Sequence, residues 1–143
     1  MVLADESRRV RAALRRLLED EGFEVVTEAD SGIAAVNDVR RSRPEVALLD
    51  VRLPGLDGLS AAVEIKAHAP ATQVVICTAV AGVEEAAGRI GAYAVVAKGS
   101  NPALLVGTIR RALATLLAHG LDGGAGREEV GTQPLSRFMR RPA

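Results

Sequence analysis

The chain has 143 residues, the length of one ordinary domain. Apolar residues make up 48% and charged residues 25%, so a packed core is expected and wholesale disorder is excluded. Lysine plus arginine (18) balances aspartate plus glutamate (18) and aromatics are only 2%, which leaves neither a basic footprint for duplex nucleic acid nor a base-stacking platform.

The lone Cys77 closes no internal disulfide, and no Cys/His cluster offers four zinc ligands. No apolar run approaches the roughly 18 residues of a membrane helix, and Asp5 arrives too early for a signal-peptide core. A cytoplasmic protein with no membrane partner is expected.

Taken in order, the predicted elements alternate. A stub of a first strand covers 2–4. The first helix carries Val10, Ala13, Leu14, Leu17 and Leu18 at the 3.6 period, with Arg8, Arg11, Arg15, Glu19 and Asp20 on the other face. A second strand at 24–28 has Glu24 and Glu28 flanking Val25-Val26-Thr27, the charge pattern of an edge strand protected from further pairing. After a second helix, strands at 46–49 and 73–78 are apolar without alternation, as central strands buried on both faces should be. Asp57-Gly58 between them reads as the turn and cap of the third helix. Gly82, Gly88 and Gly91 predict a short fourth helix before a strand at 94–97. Asn101 and Pro102 open the fifth helix, with Leu105, Ile109, Leu113, Leu116 and Leu117 on one stripe. Residues 1–119 are read as the folded domain and 120–143, with Gly123-Gly124-Ala125-Gly126, Pro134, Arg137, Arg140 and Arg141, as a flexible tail. The Gly-rich stretch follows a helix, so it is no dinucleotide fingerprint.

Strands alternating with helices favour right-handed βαβ crossovers and an α/β fold with a parallel sheet. In such a sheet the carboxyl ends of the strands share one edge, and four of the five strands end in or before a polar group there: Asp5-Glu6, Asp50, Thr78 and Lys98. Three crowded carboxylates repel unless a proton or cation intervenes, and a site of few oxygen ligands suits Mg²⁺. A carboxylate beside Mg²⁺ and a lysine can attack a phosphoryl donor, which makes Asp50 the candidate nucleophile and Thr78 the hydroxyl placed to bond the product.

These residues resemble the response-regulator receiver domains of two-component signalling from Val2 to about His119. The acidic pair is Asp5-Glu6 followed by Arg11, the phosphoacceptor stretch is Leu48-Leu49-Asp50-Val51-Arg52-Leu53-Pro54-Gly55-Leu56-Asp57-Gly58, the Thr-Ala pair is Thr78-Ala79 and the lysine is Lys98. The resemblance implies a flavodoxin-like sandwich with five strands in the order 2-1-3-4-5. It also implies that Glu6, Asp50 and the backbone carbonyl of Arg52 ligate Mg²⁺, with Asp5 acting through water. By the same resemblance the chain catalyses only its own phosphorylation and dephosphorylation. Its partners would be a sensor histidine kinase or phosphotransfer protein, a downstream effector or output domain, and a second copy of itself. Val95 stands where many receivers carry a switch aromatic, with Tyr93 two residues earlier, and Gly99 replaces a frequent proline. Lys98-Gly99-Ser100 is similar to the LuxR-type subgroup, which leaves open an N-terminal receiver whose helix-turn-helix lies beyond this sequence. Signalling without phosphorylation is a further alternative raised by Val95. A phosphohydrolase of the haloacid-dehalogenase type is another, although Arg52 replaces the second Asp of its Asp-x-Asp motif.

Cys77 reads as a small buried hydrophobe, and His68 and His119 as helix C-terminal residues with no metal role.

Overall fold

The computed structural model describes residues 1–121. Five parallel strands, β1 (Val2–Ala4), β2 (Thr27–Ala29), β3 (Val46–Leu49), β4 (Gln73–Thr78) and β5 (Ala94–Ala97), lie in the order β2-β1-β3-β4-β5. Between and after them run α1 (Arg8–Asp20), α2 (Gly32–Ser42), α3 (Gly58–His68), α4 (Glu84–Ile90) and α5 (Pro102–Leu121). This is the flavodoxin-like α/β architecture. Helices α2, α3 and α4 pack side by side on one face. On the other, α5 covers β3 to β5, and Arg110 reaches across from α5 to Glu21 and the Phe23 ring beside α1.

The unbroken apolar runs of β3 and β4 are buried throughout apart from Gln73, which places them centrally, as their lack of alternation requires. Leu3, Leu48, Leu49 and Ile76 of the sheet, with Leu18, Ile65 and Ile109 of the helices, form the fully buried centre. The stripe of α1 faces this core through Leu14, Leu17 and Leu18, but Ala13 is exposed. Similarly, α5 buries Leu105 and Ile109 and leaves Leu117 at 69% exposure, because the helix runs past the end of the sheet.

Caps fix where the helices begin. Ser7, Ser31 and Asp57 accept from the N–H groups of Val10, Ala34 and Ser60. Asp57 is thus the predicted cap, and its carboxyl is held below the usual range by the Ser60 amide. Asn101 accepts from the Ala103 N–H as α5 starts. Helix α4 spans only 7 residues, has no side-chain cap and stops at Gly91 in the left-handed region (φ 93°), as its glycines foretold.

Two boundaries differ from expectation. The second strand begins at Thr27 rather than residue 24, because its ladder partner β1 is short: Val2 pairs with Thr27, and the preceding stretch is held instead by Met1, whose ammonium donates to Glu24 O and whose carbonyl accepts from Val26, and by Arg15, which donates to Val25 O. It is nonetheless the edge strand the charges indicated. Helix α5 continues to Leu121, beyond the proposed domain end at 119, and the remainder of the tail lies outside the described residues.

Candidate functional site

The ladder brings the four strand ends level. Ala4 pairs with Leu49 and Thr78 with Ala97. Backbone bonding continues one residue further: Asp50 N–H donates to Ala4 O, Asp5 N–H to Ala29 O, and Lys98 N–H to Thr78 O. The side chains of Asp5, Asp50, Thr78 and Lys98 are therefore positioned by sheet backbone, not by mobile loop.

They meet in one crevice. Lys98 Nζ lies 2.7 Å from Asp50 Oδ2 and 2.5 Å from Asp5 Oδ2. The Thr78 hydroxyl donates to Asp50 Oδ1 at 2.7 Å and accepts from the Val80 N–H at 3.2 Å, so one oxygen joins the carboxylate to the loop leading to α4. The Arg52 N–H also donates to Asp50 Oδ1, at 3.3 Å. Asp5, Thr78 and Asp50 are all buried, at 1%, 2% and 5% exposure.

Burial alone would push the Asp50 carboxyl up, but the Lys98 ammonium and the Thr78 hydroxyl outweigh it and hold the group below the ordinary value. For Lys98, burial favours loss of the proton, and the two carboxylates more than reverse this, raising it. Two buried carboxyl groups thus share one half-buried ammonium.

Glu6 behaves differently: its side chain is exposed and is not drawn toward Asp5 and Asp50. Consequently no three His, Cys, Asp or Glu side chains among the described residues are grouped as metal ligands. The donor set still fits a hard divalent cation, since it consists of carboxylate oxygens, and buried Asp5 Oδ2 has the Lys98 ammonium as its one partner among the described residues. Arg52 contributes backbone here, with its side chain exposed.

One contributor, Ser7, escaped sequence reasoning, and the roles of two others, Arg11 and Gly58, were not read from it. Ser7 N–H donates to Asp5 Oδ1 at 2.9 Å while its hydroxyl caps α1, a double role that a Ser before a helix permits but does not announce. Arg11 donates to the carbonyls of Asp5 and Glu6. Gly58 lets the loop after β3 fold back: its N–H donates to Val51 O, and a Cβ there would stand 1.9 Å from Asp50 O. No local signal distinguishes that glycine from an ordinary turn residue.

Val95, three residues before Lys98, is half-buried on β5, and Tyr93 is buried at the strand's start. Cys77 sits within β4, and burial pushes its thiol up to about 11, so it is an inert thiol at neutral pH. His68 ends α3 within 3.4 Å of Glu64, far along the chain from the crevice residues.

A parallel sheet in this order, with carboxylates, a hydroxyl and an ammonium gathered at the carboxyl ends of β1, β3, β4 and β5, defines a flavodoxin-like domain that works at its topological switch point. The chain belongs to the response regulator receiver family, whose domain model matches residues 1–110. It is similar to the chemotaxis protein CheY of Listeria monocytogenes, 33% identical over 79 residues, which are 55% of this chain and 66% of that protein. It is also similar to the transcriptional regulatory protein CseB of Streptomyces coelicolor, 35% identical over 121 residues, or 84% of this chain and 50% of CseB. Among solved structures, a LuxR-family two-component response regulator from Aurantimonas superposes with a TM-score of 0.77 at 34% identity, covering 80% of this chain and 84% of that one. The chain therefore spans about two thirds of CheY and half of CseB, and it is a signalling domain of the two-component type. No helix among the described residues is long and apolar enough to cross a membrane.

Proposed function

We propose that Asp50 is the phosphoacceptor of a Mg²⁺-dependent switch. The observation that carries this reading is the Asp50 carboxylate held between the Thr78 hydroxyl and the Lys98 ammonium at the switch point of the sheet. Ionised at neutral pH, Asp50 attacks the phosphorus of a phosphohistidine on a sensor kinase or phosphotransfer protein; the new O–P bond forms as the N–P bond breaks, and the departing imidazole takes a proton from solvent. Mg²⁺, which Asp5, Glu6, Asp50 and the Arg52 carbonyl would hold, supplies charge neutralisation on the phosphoryl oxygens. Lys98 adds its own charge to that task, and Thr78 transfers its hydrogen bond from the carboxylate to the phosphoryl group.

Because Thr78 Oγ1 also accepts from Val80, that transfer moves the loop at 79–83 and hence α4. With Val95 in place of an aromatic ring, the loop backbone carries the signal without a ring rotation. The listener is a protein effector, an output domain or a second copy, and the setting is cytoplasmic. Residues 1–119, with α5 continuing to Leu121, make up this receiver unit. The likeness to a LuxR-family regulator and to CseB favours a placement as the input part of a transcriptional regulator, with nucleic acid contacted outside this chain.

Incubation with acetyl phosphate tests the reading. The chain becomes labelled only when Mg²⁺ is present, and Asp50→Asn abolishes the label; undiminished labelling of that variant contradicts the assignment.

A further inference from the structure

Arg11 belongs to the first helix, yet its guanidinium is spent on the turn before it. One nitrogen, Nη1, donates to Asp5 O at 2.7 Å and to Glu6 O at 3.3 Å, the carbonyls of the two residues that bear the acidic side chains. Nε donates to Glu28 Oε1 at 3.2 Å on the edge strand β2, and the Arg11 side chain is only 14% exposed. Glu28 in turn accepts from Arg15 at 2.9 Å, and that bond foremost keeps its carboxyl below the ordinary range despite partial burial.

From this geometry we infer that Arg11 is a positioning residue for the cation-binding acidic pair, and that Glu28 cancels the charge Arg11 brings there. The inference rests on the proposed Mg²⁺ site. Asp5 is clamped from both sides of its peptide, by Ala29 O on its N–H and by Arg11 on its carbonyl, while Ser7 N–H fixes its carboxylate. The Glu6 carboxylate is exposed and has no such anchor, so the Arg11 bond to its backbone carbonyl is what fixes the peptide from which it would turn toward the cation. A fork of donors is needed, because one group must reach two carbonyls and a carboxylate; a lysine offers a point charge instead. A bare guanidinium next to a cation site repels the cation, and Glu28, held ionised by Arg15, removes that penalty. An exposed arginine–glutamate pair serving stability alone would contribute little and leave cation affinity untouched.

Calorimetric titration of the full chain with MgCl₂ at low ionic strength, without phosphodonor, tests this. Arg11→Met and Arg11→Lys weaken Mg²⁺ binding by about tenfold or more, as loss of groups that orient metal ligands does. Glu28→Gln weakens it about threefold at low salt, an effect that fades as salt screens the uncompensated charge. Urea unfolding of each variant identifies those that fold. Wild-type binding that folded Arg11→Met retains within about twofold overturns the inference alone, whatever the stability change. Should Arg11→Met not fold, Glu28→Gln decides: an unchanged dissociation constant at low salt overturns the inference. A wild-type chain that binds no Mg²⁺ overturns the inference together with the proposed function.

Discussion

The two ends of the sheet use polar side chains in opposite ways. At the amino ends of the strands, donors are paired with backbone: the Thr72 hydroxyl donates to Pro44 O at 2.7 Å, Lys66 Nζ to Pro70 O and Thr72 O, and Arg43 to His68 O. Each of these satisfies a carbonyl left over where an element ends, and burial lowers Lys66 without any carboxylate to offset it. At the carboxyl ends, charge faces charge: two buried carboxylates share one ammonium, and Asp5 Oδ2 has no partner besides it among the described residues. The first arrangement is complete and can only lose by change. The second retains capacity for a cation and for new phosphoryl oxygens, so the comparison separates the part of the molecule that holds the fold from the part that works.

Removing Lys98 should have the largest consequence of a single change short of removing Asp50. Lys98→Met is expected to slow labelling by about 100-fold or more, since it strips a preorganised charge from the reacting oxygens. It also weakens a pH dependence. In the native chain Asp50 is held below its ordinary value, so its contribution to stability is present above the ordinary carboxylate range and disappears as pH falls through the lowered value. Lys98 is raised, so its contribution is present below the ordinary lysine range and disappears as pH rises through the raised value. In Lys98→Met, burial still raises Asp50 while the hydrogen bonds from the Thr78 hydroxyl and the Arg52 N–H still lower it, so the lowering is reduced. Urea midpoints measured from neutral pH downward should then fall less steeply for the variant than for the native chain; parallel curves would show that the ion pair is not what couples them.

Gly58→Ala should come next. Its added methyl meets the Asp50 and Val51 backbone, which cannot yield as a side chain would, and a loss of about 3 kcal/mol in urea unfolding is expected. Because the strained atom is the Asp50 carbonyl, labelling of the folded fraction should also slow. A variant of native stability would mean that the loop at 51–57 relocates freely.

Thr72→Val should be smallest, about 1 kcal/mol for one buried hydrogen bond, with the rate of labelling unchanged. A changed rate would erase the division between the two ends of the sheet.

The same division governs what could be read from the sequence. The buried runs of β3 and β4 announce central strands, and the polar residue that ends each run, Asp50 or Thr78, stands out because nothing in the run itself requires it. Lys98 follows by the same logic, and the 2-1-3-4-5 order came with the family likeness, not from periodicity. The start of β2 was hidden because a partner strand sets it: Thr27 is where Val2 begins to pair. Gly58 was legible as a turn but not as a necessity, since the backbone it would strike belongs to Asp50, brought there by folding. The solvent-facing direction of Glu6 was equally out of reach, because residue type and spacing place a carboxylate in a turn without saying which way it points.

The most direct measurement of the central claim is the position of the acyl phosphate. After acetyl phosphate and Mg²⁺ treatment, borohydride reduction converts a phosphorylated aspartate into homoserine, which peptide mass spectrometry locates. The account predicts conversion at position 50 alone, dependent on Mg²⁺; conversion at Asp5 or Asp57, or none at position 50 in a chain that carries label, would contradict it.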